Sequence, residues 1–182
     1  MIGIIVIGFV TLGVHNKNVN TKYPITNHSE DIQQNLTIWQ NRGEEYELHP
    51  DLIKVEHLGK SDTYVAFFEN KPGELGIAIL KEGPNKKLQI RSTQYGSREE
   101  EHYATYYGVH TNEGNYGILI GKNSGKQIHS IRAELENSQL EFLVPVPEDN
   151  KFILIKKLPK GISSLDYADL YLLDKDNKEI QA

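Results

Sequence analysis

Tyrosines crowd into one short part of the chain, where they could form a binding surface. Five of the ten tyrosines fall within residues 95–116, namely Tyr95, Tyr103, Tyr106, Tyr107 and Tyr116. A tyrosine side chain combines an apolar ring with a polar hydroxyl, and sugars and peptides can use both properties when they bind. This stretch is therefore the first candidate for a ligand site.

If the stretch forms a strand, its side chains alternate between two faces. One face then carries Tyr103, Thr105, Tyr107 and Val109, and the other carries Ala104, Tyr106, Gly108 and His110. Gly108 leaves a flat gap between Tyr106 and His110 that could seat a sugar or a peptide. We predict Tyr103, Tyr106, Tyr107 and His110 as ligand-binding residues. The alternative interpretation is that tyrosines favour strands in general and that one face is simply core.

A second polar cluster, formed by Glu99, Glu100, Glu101 and His102, precedes the tyrosines. Carboxylates and histidines that converge can bind a metal ion or support hydrolysis. However, no H-x-H or H-x-x-x-H spacing occurs among the seven histidines, and a loop of charges is usually just solvated. We therefore predict no metal site and no catalytic residue, and a hydrolase that uses this Glu/His cluster stays an alternative.

Composition excludes several classes of function. The chain has no cysteine, which rules out disulfides, thiolate nucleophiles, cysteine-based metal sites and lipid-modified cysteine. A net charge of −5 without a long basic stripe argues against nucleic-acid binding. The segment GKNSGK at residues 121–126 is one residue shorter than a phosphate-binding loop, and Gln127 stands where such a loop needs Ser or Thr. We predict no cofactor.

The elements that would hold these residues are mostly short strands. Ten β-rich segments, separated by turn residues, cover residues 53–58, 63–69, 76–81, 88–93, 103–110, 116–121, 127–133, 139–146, 151–156 and 169–173. This spacing predicts a mainly β domain, an antiparallel β-sandwich or a barrel-like fold. Residues 76–91 and 117–132 also share a faint repeat, in which Ile90 corresponds to Ile131.

One short amphipathic helix precedes the strands. Ser29, followed by Glu30 and Asp31, is a helix start signal. Ile32, Leu36 and Trp39 then recur at helical spacing up to about Gln40. Trp39, the single tryptophan of the chain, is predicted to anchor the helix on the sheet.

The first fourteen residues, MIGIIVIGFVTLGV, form an uncharged apolar run. A helix of residues 2–14 would be about 20 Å long, which is shorter than the bilayer core of about 30 Å but long enough for the apolar part of a signal peptide. No Lys or Arg precedes the run and no A-x-A-like cleavage site follows it. We predict a signal anchor or transmembrane segment. The alternative is a buried strand of a cytosolic protein, because β-branched residues dominate the run.

These patterns divide the chain into three parts. Residues 1–14 are the predicted membrane-anchor helix, residues 15–28 a polar tether rich in Asn and Thr, and residues 29–182 a β-rich extracytoplasmic domain. The predicted location is the cell membrane, crossed once, or the exterior if the anchor is cleaved.

Residues 53–133 carry a resemblance to a group of bacterial proteins, through the segments IKVEHLGKSDTYVAFFEN, LGIAILKEGPNKKLQIRS and NYGILIGKNSGKQIHSIRAEL. The block resembles small single-pass extracytoplasmic proteins of Bacillus-type bacteria that carry an N-terminal anchor and an outward-facing β domain. These proteins have no assigned activity, so the resemblance implies a location and a fold but no functional residue.

The predicted function is therefore a non-enzymatic binding or accessory module at the bacterial cell envelope. Its predicted partners are the membrane, through the N-terminal segment, and an envelope protein or polysaccharide. The main alternative is a carbohydrate or wall-polymer binder that uses the tyrosine-rich face.

Overall fold

A computed structural model describes residues 18–43, 47–71, 73–97, 100–136, 140–162 and 165–180. The predicted anchor at residues 1–14 lies outside these ranges. Within them, no helix is both long and apolar enough to cross a membrane. Part of the predicted tether belongs to the domain, because residues 18–22 are helical and Ile25 forms a bridge with Leu88 and is buried.

The fold is mainly β, as predicted, and each of the ten predicted strands is present in the structure. They are β1 (Asp51–His57), β2 (Thr63–Glu69), β3 (Glu74–Glu82), β4 (Leu88–Ser97), β5 (His102–Thr111), β6 (Gly114–Asn123), β7 (Ser130–Leu135), β8 (Glu141–Pro145), β9 (Lys151–Lys157) and β10 (Ala168–Leu173). The largest difference in a boundary is at β4, which ends four residues later than predicted. Strand β7 begins three residues later than predicted because Ile128 is held in the preceding loop.

The strands form three antiparallel sheets. Sheet I has the order β1-β2-β3-β4, sheet II the order β5-β6-β9 and sheet III the order β10-β7-β8. After β6 the chain leaves sheet II to build β7 and β8, returns to sheet II as β9, and ends in sheet III as β10. None of the three described sheets closes on itself, so the prediction of a mainly β, antiparallel fold is confirmed and the barrel-like alternative is wrong.

The helix α1 (Ser29–Gln40) forms where the sequence predicted it. The predicted start signal works differently, because His28 is the N-cap residue and makes no capping bond with its side chain. Instead, a carboxylate oxygen of Asp31 accepts hydrogen bonds from the backbone N–H and the hydroxyl of Thr26, at 2.5 and 2.7 Å. These bonds lower the pKa of Asp31 and fasten the first turn of the helix to the preceding chain.

The layers stack in the order α1, sheet I, sheet II, sheet III, with an apolar core between each neighbouring pair. Because side chains alternate along each strand, one strand can contribute to the cores on both sides of its sheet. In β2, Ala66 and Phe68 pack toward α1 while Val65 and Phe67 pack toward sheet II. The first core also contains Ile32, Leu36, Leu80 and Leu88, the second Ile77, Tyr103, Ile118 and Ile120, and the third Leu119, Ile131, Phe142 and Phe152.

Trp39 anchors α1 on sheet I, as predicted. Its ring packs against the first core, and its indole N–H donates to the hydroxyl of Thr93 at 3.2 Å. The guanidinium of Arg42 lies 3.7 Å above the ring, which covers the remaining face of the indole with a cation.

Sheets I and II are also joined by an ion pair. The ammonium of Lys151 on β9 lies 2.5 Å from a carboxylate oxygen of Glu69 on β2, and the backbone N–H of Gly73 donates to the other oxygen at 2.9 Å. Burial raises the pKa of Glu69, but these two bonds outweigh burial and leave it below its ordinary value. The pair therefore fixes one end of the sandwich between the two sheets.

Candidate functional site

A groove of about 320 Å³ lies between β5 of sheet II and β10 of sheet III. Four consecutive residues of β5 line one side, and residues before and within β10 line the other. The lining consists of Tyr103, Ala104, Thr105, Tyr106, Asp166, Tyr167, Ala168, Leu170 and Leu172. Since β5 and β10 are both terminal strands of their sheets, the groove runs between two strand edges.

The direction of the backbone groups on β5 follows from its pairing with β6. The register is continuous from His102 to Thr111, and Ser124 N–H donates to the carbonyl of Glu101 just outside the strand. Hydrogen-bonded pairs alternate from that point, so odd-numbered residues of β5 bond to β6. The N–H and C=O groups of Ala104 and Tyr106 therefore point toward the groove.

The same reasoning applies to β10. Glu136 N–H donates to the carbonyl of Tyr167, which places Tyr167 and the odd-numbered residues of β10 in the bonded pairs with β7. The main-chain groups of Ala168 and Leu170 therefore point toward the groove. Two rows of polar backbone groups thus face the same space, and they have no main-chain partner among the described residues.

Tyr106 combines a half-buried ring with an unsatisfied hydroxyl. Its ring lies against the backbone of Gly117, where a Cβ atom would approach ring atom Cε2 to 2.8 Å. The hydroxyl oxygen is buried and has no hydrogen-bond partner within the described part of the chain. Burial raises the pKa of Tyr106 to about 12, so the phenol is a neutral donor throughout the physiological pH range.

Tyr167 stands at the mouth of the groove with 55% of its surface exposed. A hydrogen bond with Asp169, together with the negative charge of Asp169 and Glu136, raises the pKa of the Tyr167 phenol. Asp166 also lines the groove and is exposed. Counted over the described residues, Asp166 is the one charged side chain in the lining, and the groove mouth is therefore acidic.

The four predicted ligand-binding residues do not converge on this groove as a group. Tyr103 and Tyr106 line it, but the Tyr103 ring belongs to the core between sheets I and II, where its hydroxyl donates to the carbonyl of Gly73 at 3.2 Å. Tyr107 packs against the same core. His110 is exposed near the end of the strand and shares a 2.9 Å hydrogen bond with the side-chain oxygen of Asn115.

The predicted alternation of the two faces of β5 is confirmed, but the predicted gap is not. Tyr103, Tyr107 and Val109 pack toward sheet I, and Ala104 and Tyr106 toward sheet III. The space above Gly108 is filled by the backbone and side chain of Leu165, which a Cβ atom at Gly108 would strike. The flat gap is therefore occupied by the protein itself.

The sequence missed the half of the groove that β10 contributes, above all Asp166, Tyr167 and Leu170. A tyrosine beside an aspartate, just before a strand, was the available signal, but nothing in the sequence placed that strand beside β5. Of the Glu/His cluster, Glu99 lies outside the described residues, whereas Glu100 and Glu101 are exposed. The described residues hold no group of three His, Asp or Glu side chains arranged to bind a metal ion.

Two other cavities lie elsewhere. One of about 200 Å³ between α1 and β4 is lined by Trp39 and Arg42, which stack on each other. Another of about 380 Å³ lies between β1 and β9, where Lys151 is already paired with Glu69. Strands β1 and β9 are also terminal strands of their sheets, but the described lining of that cavity contains no tyrosine. Neither of these two cavities combines strand edges with a cluster of tyrosines.

No protein-family model matches the chain, and no curated protein or solved structure shows significant similarity to it. Function is therefore inferred from the chain's own residues.

Replacing Gly108 by alanine tests whether the space beside it is filled. We expect Gly108→Ala to lower the free energy of unfolding by about 2 kcal/mol, since the new methyl group overpacks against Leu165. Gly96→Ala is the matched control, because a Cβ atom at Gly96 meets nothing within 4 Å; its effect should stay within about 0.5 kcal/mol. Urea denaturation measures both. Equal stability of the two variants would show that the gap is open.

Removing single tyrosine hydroxyls tests the unsatisfied group. Tyr106→Phe should raise the free energy of unfolding by up to about 1 kcal/mol, because it removes a buried hydroxyl that lacks a protein partner. Tyr103→Phe should lower it by about 1 kcal/mol, because that hydroxyl donates to Gly73. A raised pKa of about 12 also means that Tyr106 makes the wild type lose stability as the pH rises from about 10 through 12, and Tyr106→Phe should reduce that loss. Equal destabilisation by both variants at pH 7 would contradict the conclusion that the Tyr106 hydroxyl lacks a hydrogen-bond partner in the protein.

Proposed function

We propose that this chain is a non-enzymatic binding module whose ligand occupies the groove between β5 and β10. The observation that carries the proposal is the convergence of two open strand edges with Tyr106 and Tyr167 around one cavity. Main-chain groups without a protein partner among the described residues can bond to a ligand in the groove, and the exposed ring of Tyr167 gains free energy when a ligand covers it. The site thus supports binding through contacts that need no cofactor.

We further propose that the module works at a bacterial cell envelope, held there by residues 1–14. The support for this location is the uncharged apolar run and the resemblance to single-pass extracytoplasmic proteins. A module on the outer side of the membrane would meet wall polymers and the exposed segments of other envelope proteins.

A carbohydrate or wall polymer is the second candidate ligand. The exposed ring of Tyr167 beside the Asp166 carboxylate favours it, because a sugar can stack on an aromatic ring while its hydroxyl groups donate to a carboxylate. The first candidate, an envelope protein, would instead use the strand edges.

The location is tested by fractionating cells that express the full chain, followed by protease treatment of intact cells. We expect the full chain in the membrane fraction and cleaved by external protease. A variant that lacks residues 1–14 should be cytosolic and protected, since it keeps the domain but loses the apolar run. Recovery of the full chain as a protected cytosolic protein would contradict the proposed location.

The absence of cysteine allows a direct test of groove occupancy. An environment-sensitive fluorophore attached at Thr105→Cys, a lining residue with no proposed ligand contact through its side chain, would report on the groove. The same fluorophore at Asp176→Cys, in the turn after β10, would serve as the control. We expect a saturable change at position 105 alone when muropeptides, or purified envelope proteins, are added. Tyr167→Ala should weaken that response about tenfold, because it removes an exposed aromatic contact, whereas Tyr95→Ala, on sheet I, should not.

A response of equal size at both label positions, or no response to either class of ligand, would overturn the proposed function. A response to muropeptides alone would favour the carbohydrate candidate, and a response to envelope proteins alone the protein candidate.

A further inference from the structure

Most edge strands of the three sheets have a feature that prevents pairing with another chain, and β5 is the exception. Exposed strand edges usually carry charges, bulges, proline or a covering segment that prevent pairing with another chain. Here β1 has a bulge after Leu52 and an exposed Lys54–Glu56 ion pair. Strand β9 begins and ends in lysines, β8 contains Glu141 and Pro145, and part of β4 is covered by Ile25.

Within the part of the chain that the structure describes, strand β5 has none of these protections between residues 103 and 107. Residues 103–109 contain no charged side chain and no proline, and the pairing with β6 shows no register shift. A regular, uncharged edge of this kind is a template for one more strand. It faces the groove instead of open solvent.

The open part of the edge has defined limits. At one end Leu165 packs over Gly108. Across the groove, Ile180 N–H donates to the carbonyl of Leu172 and so covers that end of β10. The outward main-chain groups of Ala104 and Tyr106 on one side, and of Ala168 and Leu170 on the other, are left between these limits. This is room for a short extended segment.

The side chains around the groove set the chemistry of that segment. Ala104, Ala168 and Leu172 belong to the core between sheets II and III, so the inner wall is apolar. Asp166 lines the outer part, and Asp169 and Glu136 lie close enough to Tyr167 to raise its pKa. An added strand turns alternate side chains inward and outward, so small apolar residues fit the inner positions and lysine or arginine the outer ones.

We propose that the groove takes an extended segment of a partner protein, in which small apolar residues alternate with lysine or arginine, and that this segment adds as a strand to the free edge of β5. The inference rests on the proposed function, because it assigns a ligand class to the same groove. The backbone of the segment bonds to Ala104 and Tyr106, and its cations face Asp166.

The test uses an acetylated, amidated hexapeptide of alternating lysine and valine, with amide hydrogen exchange of the ¹⁵N-labelled full chain measured by NMR. In the free protein we expect fast exchange at Ala104 and Tyr106, and slow exchange at Thr105, whose N–H bonds to β6. The peptide should slow exchange at Ala104 and Tyr106 and leave Thr105 unchanged.

Matched peptides separate the two parts of the recognition. A peptide with N-methylated valines keeps the charges but loses backbone donors, and we expect about tenfold weaker binding. A glutamate–valine peptide should also bind about tenfold more weakly, because its charges oppose Asp166. Asp166→Asn should weaken the lysine–valine peptide severalfold, whereas Asp176→Asn should not.

The outcomes are distinguishable. If the lysine–valine peptide leaves Ala104 and Tyr106 unprotected, or if the N-methylated peptide binds equally well, strand addition is wrong. If muropeptides still change the label at position 105, the binding function stands with a carbohydrate ligand. If neither ligand affects the groove, the inference and the proposed function both fail.

Discussion

The fold depends on a sheet that is buried on both of its faces. Strand β6 lies at the centre of sheet II, with Ile118 and Ile120 packed toward sheet I and Leu119 toward sheet III. Each of these side chains is almost fully buried and contributes about 1.5–3 kcal/mol relative to exposure. Gly117 and Gly121 allow the rings of Tyr106 and Phe152 to approach the strand closely. A single sheet thereby connects two separate cores.

Because both faces of sheet II are buried, only a few of its positions can carry polar side chains. With both faces covered, charged side chains fit at the strand ends and at the two edge strands. Strand β9 follows this rule, since it begins at Lys151 and ends at Lys156 and Lys157, and Lys151 pairs with Glu69 of the neighbouring sheet. Strand β5 is the other edge strand of the sheet, and its main-chain groups on the side away from β6 face the groove. The site is thus a consequence of how the layers stack.

The local elements could be predicted from the sequence because their signals are local. Alternating apolar residues between turns located the ten strands, and the spacing of Ile32, Leu36 and Trp39 located the helix. The barrel-like alternative was wrong because alternation shows that a strand has two faces but not which strand lies beside it. Residues 1–14 stay a prediction, since they lie outside the described residues.

The faint repeat also shows that the sequence does not identify neighbouring strands. Ile90 and Ile131 occupy equivalent positions in it, yet β4 continues the sheet that contains β3, whereas β7 leaves the sheet that contains β6. The cause is a loop contact. The side chain of Asn123, which is buried, bonds to both the N–H and the C=O of Ile128, at 2.9 and 3.0 Å. These bonds hold the chain away from the hairpin path and direct it into sheet III.

Only the β5 side of the candidate site could be predicted, because the sequence does not show which strand lies beside β5. The crowding of tyrosines on β5 was visible in the sequence, and the structure divides them between a core and a groove. The other wall comes from β10, whose position beside β5 depends on the departure of the chain at Asn123. The Tyr106 hydroxyl is buried without a partner among the described residues and costs free energy in the free protein, whereas the edge amides that face the groove are available to a ligand. On the other edge of the sheet, β9 has lysines at both ends and Lys151 is paired with Glu69, whereas residues 103–109 of β5 carry no charge, and this difference favours a ligand at β5.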